Sequence, residues 1–93
     1  MIFDVNTARV KQEIHPKDGP RNPWVYSITD GDSHVHMAAS GDWHVYVVHG
    51  NRETMHLPSG KDKAMLRRHV KTEDHGAVLA WLAEYARAIV EKR

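Results

Sequence analysis

The sequence contains no cysteine. Disulfide bonds, thiolate catalysis and cysteine-containing zinc sites are therefore excluded. A long apolar run is also missing: the longest apolar-rich stretch, residues 77–83, is far shorter than the roughly 20 residues of a membrane-spanning helix. The first residues have neither the basic region nor the apolar segment of a signal peptide. We therefore expect a cytoplasmic protein with no membrane partner.

The sequence also lacks a large excess of charge of one sign and lacks recognisable catalytic motifs. The formal net charge of the 93 residues is +1, so no global attraction to nucleic acid or anionic lipid is expected. Neither a glycine-rich phosphate loop nor the Gly-x-Ser-x-Gly motif of a nucleophile elbow occurs. We predict a single domain that is not an enzyme and needs no cofactor.

Evenly spaced turn signals organise the middle of the chain. The three turns are predicted at Asp30-Gly31, Ser40-Gly41 and Gly50-Asn51. The runs between them are rich in Val, Tyr, Trp and Ile and cover residues 24–29, 33–39, 43–49 and 52–57. Two-residue loops with Gly, Asn or Asp are typical of tight hairpins, so the sequence predicts a four-stranded antiparallel meander. Residues 9–15 alternate and predict a fifth strand, and the proline-rich residues 15–23 predict a loop.

Two-residue loops also predict which side chains share a face of the sheet, because side chains alternate along a strand. The predicted core face collects Trp24, Tyr26, Ile28, Val35, Met37, Tyr46, Val48, Met55 and Leu57, with His44 beside it as a structural histidine. The predicted second face collects Val25, Ser27, His34, His36, Trp43, Val45, Val47, Thr54 and His56.

The C-terminal third is helical in pattern. Thr72 can cap a helix from about Glu73 to Val90, whose apolar side chains recur at helical spacing on one face. These side chains are Val78, Trp81, Leu82, Tyr85 and Ile89. We predict an α+β fold in which this helix covers the core face of the meander. Residues 61–70 favour a short preceding helix, capped at Ser59, with a strand as the alternative.

The second face is the leading candidate for function. Apolar patches rimmed by polar groups mark partner sites, and tryptophan often anchors them. The predicted partner-binding residues are Trp43, Val25, Val45, Val47, His34, His36 and His56. We expect a small binding protein, such as a regulator, inhibitor or adaptor, that contacts another protein or a second copy of itself. In the alternative, residues 1–15 fold over this face and form a minor core.

A basic segment at 61–71 offers a second function, nucleic-acid binding through phosphate contacts. Its cations are Lys61, Lys63, Arg67, Arg68 and Lys71. A meander followed by a helix also resembles the topology of AP2-type and integrase arm-binding DNA-binding domains. Their sheet faces are rich in Arg, whereas this predicted face is rich in His and Val, so the resemblance is limited to topology.

Histidines suggest a third function, a metal-dependent enzyme. Asp30, Asp32, His34 and His36 are spaced two residues apart, which places them on one face of a strand. Imidazole and carboxylate groups are ligands that suit zinc. In the predicted register His56 lies two strand spacings from His36, about 10 Å, which is too far for a third ligand. Surface histidines beside a turn explain the pattern more simply, so no metal ligand is assigned.

Overall fold

The computed structural model describes residues 3–13, 24–39 and 43–91. Within these ranges the chain forms five strands and two α-helices, preceded by a 3-10 helix at Val5–Thr7. The strands are β1 (Arg9–Gln12), β2 (Trp24–Asp30), β3 (Ser33–Ala38), β4 (Val45–His49) and β5 (Arg52–His56). The helices are α1 (Gly60–Lys71) and α2 (His75–Glu91). The strands form one antiparallel sheet in chain order, which confirms the predicted α+β meander.

The hairpin between β2 and β3 closes one position later than predicted. Asp30 pairs with Ser33, so the two loop residues are Gly31 and Asp32. Gly31 has φ +57°, a left-handed conformation that glycine adopts without steric cost. The register differs from the prediction by two residues, and because side chains alternate with a period of two, the predicted face of every β2 and β3 side chain is kept.

The connection between β3 and β4 corrects the predicted face of half the sheet. Val35 pairs with Val47, where the Ser40-Gly41 turn had predicted Tyr46 as its partner. Residues 39–44 separate the two strands, and the predicted turn residues Ser40 and Gly41 lie outside the described residues. A shift of one residue turns every side chain of β4 to the other face. The predicted core positions Tyr46 and Val48 therefore face outward, and His44 leaves the core face with them.

The hairpin between β4 and β5 forms in the predicted register. Tyr46 pairs with Met55, and Gly50 has φ +61° in the two-residue loop. Because β5 follows β4, its side chains are inverted too. Met55 and Leu57, which were predicted in the core, are each 52% exposed.

Strand β1 extends the sheet at its edge beside β2, with Arg9 opposite Ser27. The segment before β1 packs into the core, where Phe3 is 1% exposed and its N–H donates to Asp30 Oδ2 at 3.1 Å. The alternative in which the N-terminal residues fold over the second face is therefore wrong for residues 3–12. The last residues of the predicted strand and the proline-rich loop lie outside the described residues.

Helix α2 covers the core face, as predicted, and contacts β2, β3 and the 3-10 helix. Val78, Leu82 and Ala86 on its inner side are fully buried. Helix α1 packs against α2 and contributes the buried Leu66. Its range confirms the favoured prediction of a helix for residues 61–70 over the alternative of a strand.

Capping at the junction of the two helices differs from the prediction. Thr72 ends α1, with its N–H bonded to the carbonyl of Arg68, and does not begin α2. Asp74 takes that role, because its Oδ1 accepts from the N–H of Ala77 at 3.2 Å. Neither described helix is long and apolar enough to cross a membrane.

Candidate functional site

The outward side of the sheet forms an ordered grid of side chains, which we call the open face. Its middle row crosses all five strands through successive cross-strand pairs. This row consists of Arg9, Ser27, His36, Tyr46 and Met55. A second row contains Thr29, His34, Val48 and Glu53. On the other side of the middle row lie Lys11, Val25 and Ala38, with His44 and Leu57 beyond them.

His36 on the central strand lies at the middle of this grid. Its ring stacks on Tyr46, with centroids 5.0 Å apart and planes 17° apart. The ring of His34 lies 5.3 Å from it on the same strand. Burial lowers the pKa of His36, and the positive charge of a protonated His34 lowers it further, while Glu53 opposes the shift. The centre of the open face is therefore uncharged at neutral pH.

A shallow groove of about 400 Å³ lies at one end of the open face. It is lined by Glu13, Val25, His36, Ala38, His44 and Tyr46. His44 contacts Tyr46 edge-on, with ring centroids 6.2 Å apart. The predicted structural role of His44 within the core is thus wrong, because its ring helps to form an external groove. The groove gives the open face a concave end that can receive a side chain.

The predicted partner-binding residues separate into two groups. Val25, His34 and His36 lie on the open face, as predicted. Trp43, Val45 and Val47 are at most 4% exposed and belong to the core, so their predicted place on a binding surface is wrong. His56 also points to the helix side, where its Nε2 lies 2.8 Å from Thr54 Oγ1 and its ring meets Tyr85 edge-on.

The sequence did not predict most of the apolar and aromatic members of the open face. These are Tyr46, Val48, Met55 and Leu57, together with His44 and Ala38. Residues 44–48, which include the first four residues of β4, read His-Val-Tyr-Val-Val, so either parity supplies apolar side chains for a core. Hydrophobic alternation therefore cannot choose the face, which depends on the number of residues between the strands and on the burial of Trp43 just before β4.

No metal site is formed by the groups considered in the sequence. Among the residues that the structure describes, no three His, Asp or Glu side chains are placed to hold a metal ion together. Thr29 Oγ1 is hydrogen-bonded to His34 Nδ1 at 3.1 Å, which gives that imidazole an ordinary structural partner.

Two further histidine pairs lie on the core side. Ser33 Oγ is 2.6 Å from His49 Nδ1, but Ser33 is fully buried, so a substrate cannot reach it as a nucleophile. Tyr26 is hydrogen-bonded through its hydroxyl to His75 Nδ1 at 2.8 Å, and burial raises the pKa of Tyr26 to about 12. The second pair joins the first residue of α2 to β2, so we assign both pairs to stability.

The five predicted nucleic-acid-binding residues lie together on the outer side of α1, which we call the basic arc. Lys61, Arg67, Arg68 and Lys71 are exposed and Lys63 is half-buried. At 100° per residue the five positions fall within about 160° of the helix circumference. The buried Leu66 lies opposite them. The helix therefore presents its cations to solvent as one surface.

A scan against protein-family models finds no match, and searches of curated proteins and of solved structures find no significant similarity.

Proposed function

We propose that this protein is a small non-enzymatic binding protein whose open face docks against the open face of a second copy. The observation that carries the proposal is the composition and position of that face. Exposed Met55 and Leu57 and half-buried Val25, Val48 and Tyr46 share one side of the sheet, and the described helices pack on the other side. Apolar patches of this kind mark contact surfaces.

The uncharged centre of the open face supports burial in an interface. His36 and Tyr46 stack there, and the lowered pKa of His36 means that covering the ring does not bury a charge at neutral pH. Charged groups lie toward the edges, with Arg9 and Lys11 on β1 and Glu53 on β5. Depletion of charge at the centre, with charged groups toward the rim, is the usual anatomy of a protein interface.

Charge at the two edges favours one arrangement of the copies. A two-fold axis along β3 places β1 of one copy over β5 of the other, so Arg9 faces Met55 of the second copy and lies about 7 Å along the strand from its Glu53. A two-fold axis across the strands would place Arg9 over Arg9, which is repulsive. We therefore infer the first arrangement, with the sheets packed face to face about 10 Å apart.

The size of the face limits how much surface a dimer can bury. Five strands about 4.8 Å apart and five residues of about 3.4 Å each give a face of roughly 24 by 17 Å. Its projected area of roughly 400 Å² is small beside the roughly 800 Å² per partner of a standard interface. We therefore expect a reversible dimer of micromolar affinity rather than an obligate one.

Sedimentation of matched valine variants tests the proposal. Val48→Lys inserts a cation into the open face, and Val5→Lys makes the same change at a residue 47% exposed on the 3-10 helix. We expect the wild-type chain and Val5→Lys to dimerise with equal affinity. Val48→Lys should weaken the dimer by a factor of about ten or more. A monomeric wild type at the highest soluble concentration, or equal loss in both variants, contradicts the proposal.

Exchange of the edge charges tests the arrangement. Arg9→Glu and Glu53→Arg should each weaken association, because each brings like charges together across the interface. Combining the two substitutions restores opposite charges, so the double variant should recover most of the affinity. If the double variant is weaker than either single variant, the two-fold axis does not run along β3.

A further inference from the structure

The basic arc combines five cations with a regular spacing. Lys63, Arg67 and Lys71 recur every four residues, which places them about 6 Å apart along the axis of α1. Lys61 and Arg68 extend the same surface on its other side. The arc is about 15 Å long from its first to its last cation. Such a row can follow a line of negative charges.

The described contacts leave the charge of the arc uncompensated. The ion pairs recorded among residues 3–13, 24–39 and 43–91 join Lys11 to Glu13, His69 to Asp74 and Arg87 to Glu84, and none includes a member of the arc. Asp62, the one acidic residue of α1, acts on Tyr85 of α2, whose pKa is raised by burial and by that carboxylate. The acidic group thus lies toward α2, away from the arc.

The side chains of the arc also indicate the class of polyanion. Apart from the methyl group of Ala64, the arc has no apolar side chain to enter a lipid bilayer, because Leu66 and Val70 turn toward the core. It has no aromatic side chain on which a base could stack. Contacts to the phosphate backbone, independent of base sequence, suit this set of cations.

We propose that the basic arc of α1 binds the phosphodiester backbone of nucleic acid without sequence specificity. This binding is separate from self-association, because α1 packs on α2 and α2 packs on the core face of the sheet. A strand bound to the arc does not cover the open face. Loss of one activity therefore leaves the other in place.

Titration of a fluorescent single-stranded oligonucleotide at several salt concentrations tests the proposal. For a single strand, each phosphate contact changes the slope of log affinity against log salt concentration by about −0.7. At about 0.05 M salt this corresponds to roughly a factor of eight in affinity for each contact. Arg67→Gln with Arg68→Gln should therefore weaken binding about 60-fold and reduce the slope by about 1.4. Thermal unfolding of this variant should match the wild-type chain, since both side chains are exposed.

The matched control removes two arginines elsewhere, Arg52 on β5 and Arg87 on α2. The variant Arg52→Gln with Arg87→Gln has the same net charge as the arc variant and should bind the oligonucleotide nearly as well as the wild-type chain. Equal weakening in both variants would show an effect of net charge alone and overturn the proposal. Failure to bind the oligonucleotide at low salt, or binding only to vesicles of phosphatidylserine, also overturns it.

Discussion

At the scale of single residues, Trp43 decides which side of β4 is buried. It has φ +58°, a left-handed conformation that costs a non-glycine residue of order 1–3 kcal/mol, and it is 4% exposed. A buried tryptophan gains more than this from the hydrophobic effect, since removing one from a core costs about 3–5 kcal/mol. The strained backbone is therefore offset by the burial of the ring, which places Val45 and Val47 in the core after it.

Replacement of Trp43 should consequently act on folding. We expect Trp43→Ala to lower the free energy of unfolding by about 3–5 kcal/mol, because it leaves a large cavity in the core. Tyr46→Ala on the open face should cost much less, since its half-buried ring leaves no enclosed cavity. Urea unfolding of both variants makes the comparison, and equal destabilisation would mean that Trp43 is not a core residue.

At the scale of secondary-structure elements, the junction between the helices follows a known pattern with an unusual residue. The N–H of Asp74 donates to the carbonyl of His69 at 2.8 Å, and the N–H of Glu73 donates to the carbonyl of Val70 at 3.0 Å. These two bonds define a Schellman motif, in which glycine is usual at the left-handed position. Here Glu73 occupies that position with φ +55°.

A glycine at position 73 should therefore stabilise the protein. Glu73→Gly removes the strain of a side chain in the left-handed region, whereas the greater flexibility of glycine in the unfolded chain opposes this gain. We expect a net rise in the free energy of unfolding of about 0.5–1 kcal/mol. Thr72→Gly is the matched change at φ −92°, where glycine offers no relief and the hydroxyl bond to Arg68 is lost. Thermal unfolding should show opposite shifts, and destabilisation by Glu73→Gly would refute this account of the junction.

Local signals in the sequence predicted the elements well where backbone geometry requires a particular residue. Gly50 marks a hairpin whose predicted register is confirmed, and Ser59 caps α1 with its side chain accepting from the N–H of Asp62. The Ser40-Gly41 signal predicted the wrong register between β3 and β4, because a Gly-containing pair does not fix how many residues separate two strands. The error inverted β4 and β5 together, so three predicted site residues moved to the core and Tyr46 moved out of it.

At the scale of the whole molecule, the described residues form layers with two separate outer surfaces. Helix α1 lies on α2, α2 lies on the sheet, and the open face lies beyond the sheet. A face-to-face dimer therefore places its helices on the outside and leaves both basic arcs accessible. The sequence predicted the basic segment on a short helix, from its helix-forming residues and the cap at Ser59, but it could not predict the composition of the open face.

Methyl NMR spectra of the wild-type chain, recorded from low to high protein concentration, test most directly that the open face docks a second copy. The account predicts that the methyl resonances of Val25, Val48, Met55 and Leu57 shift with concentration, while those of the buried Val78 and Leu82 in α2 do not. Spectra that do not change with concentration, or shifts confined to the helices, would contradict it.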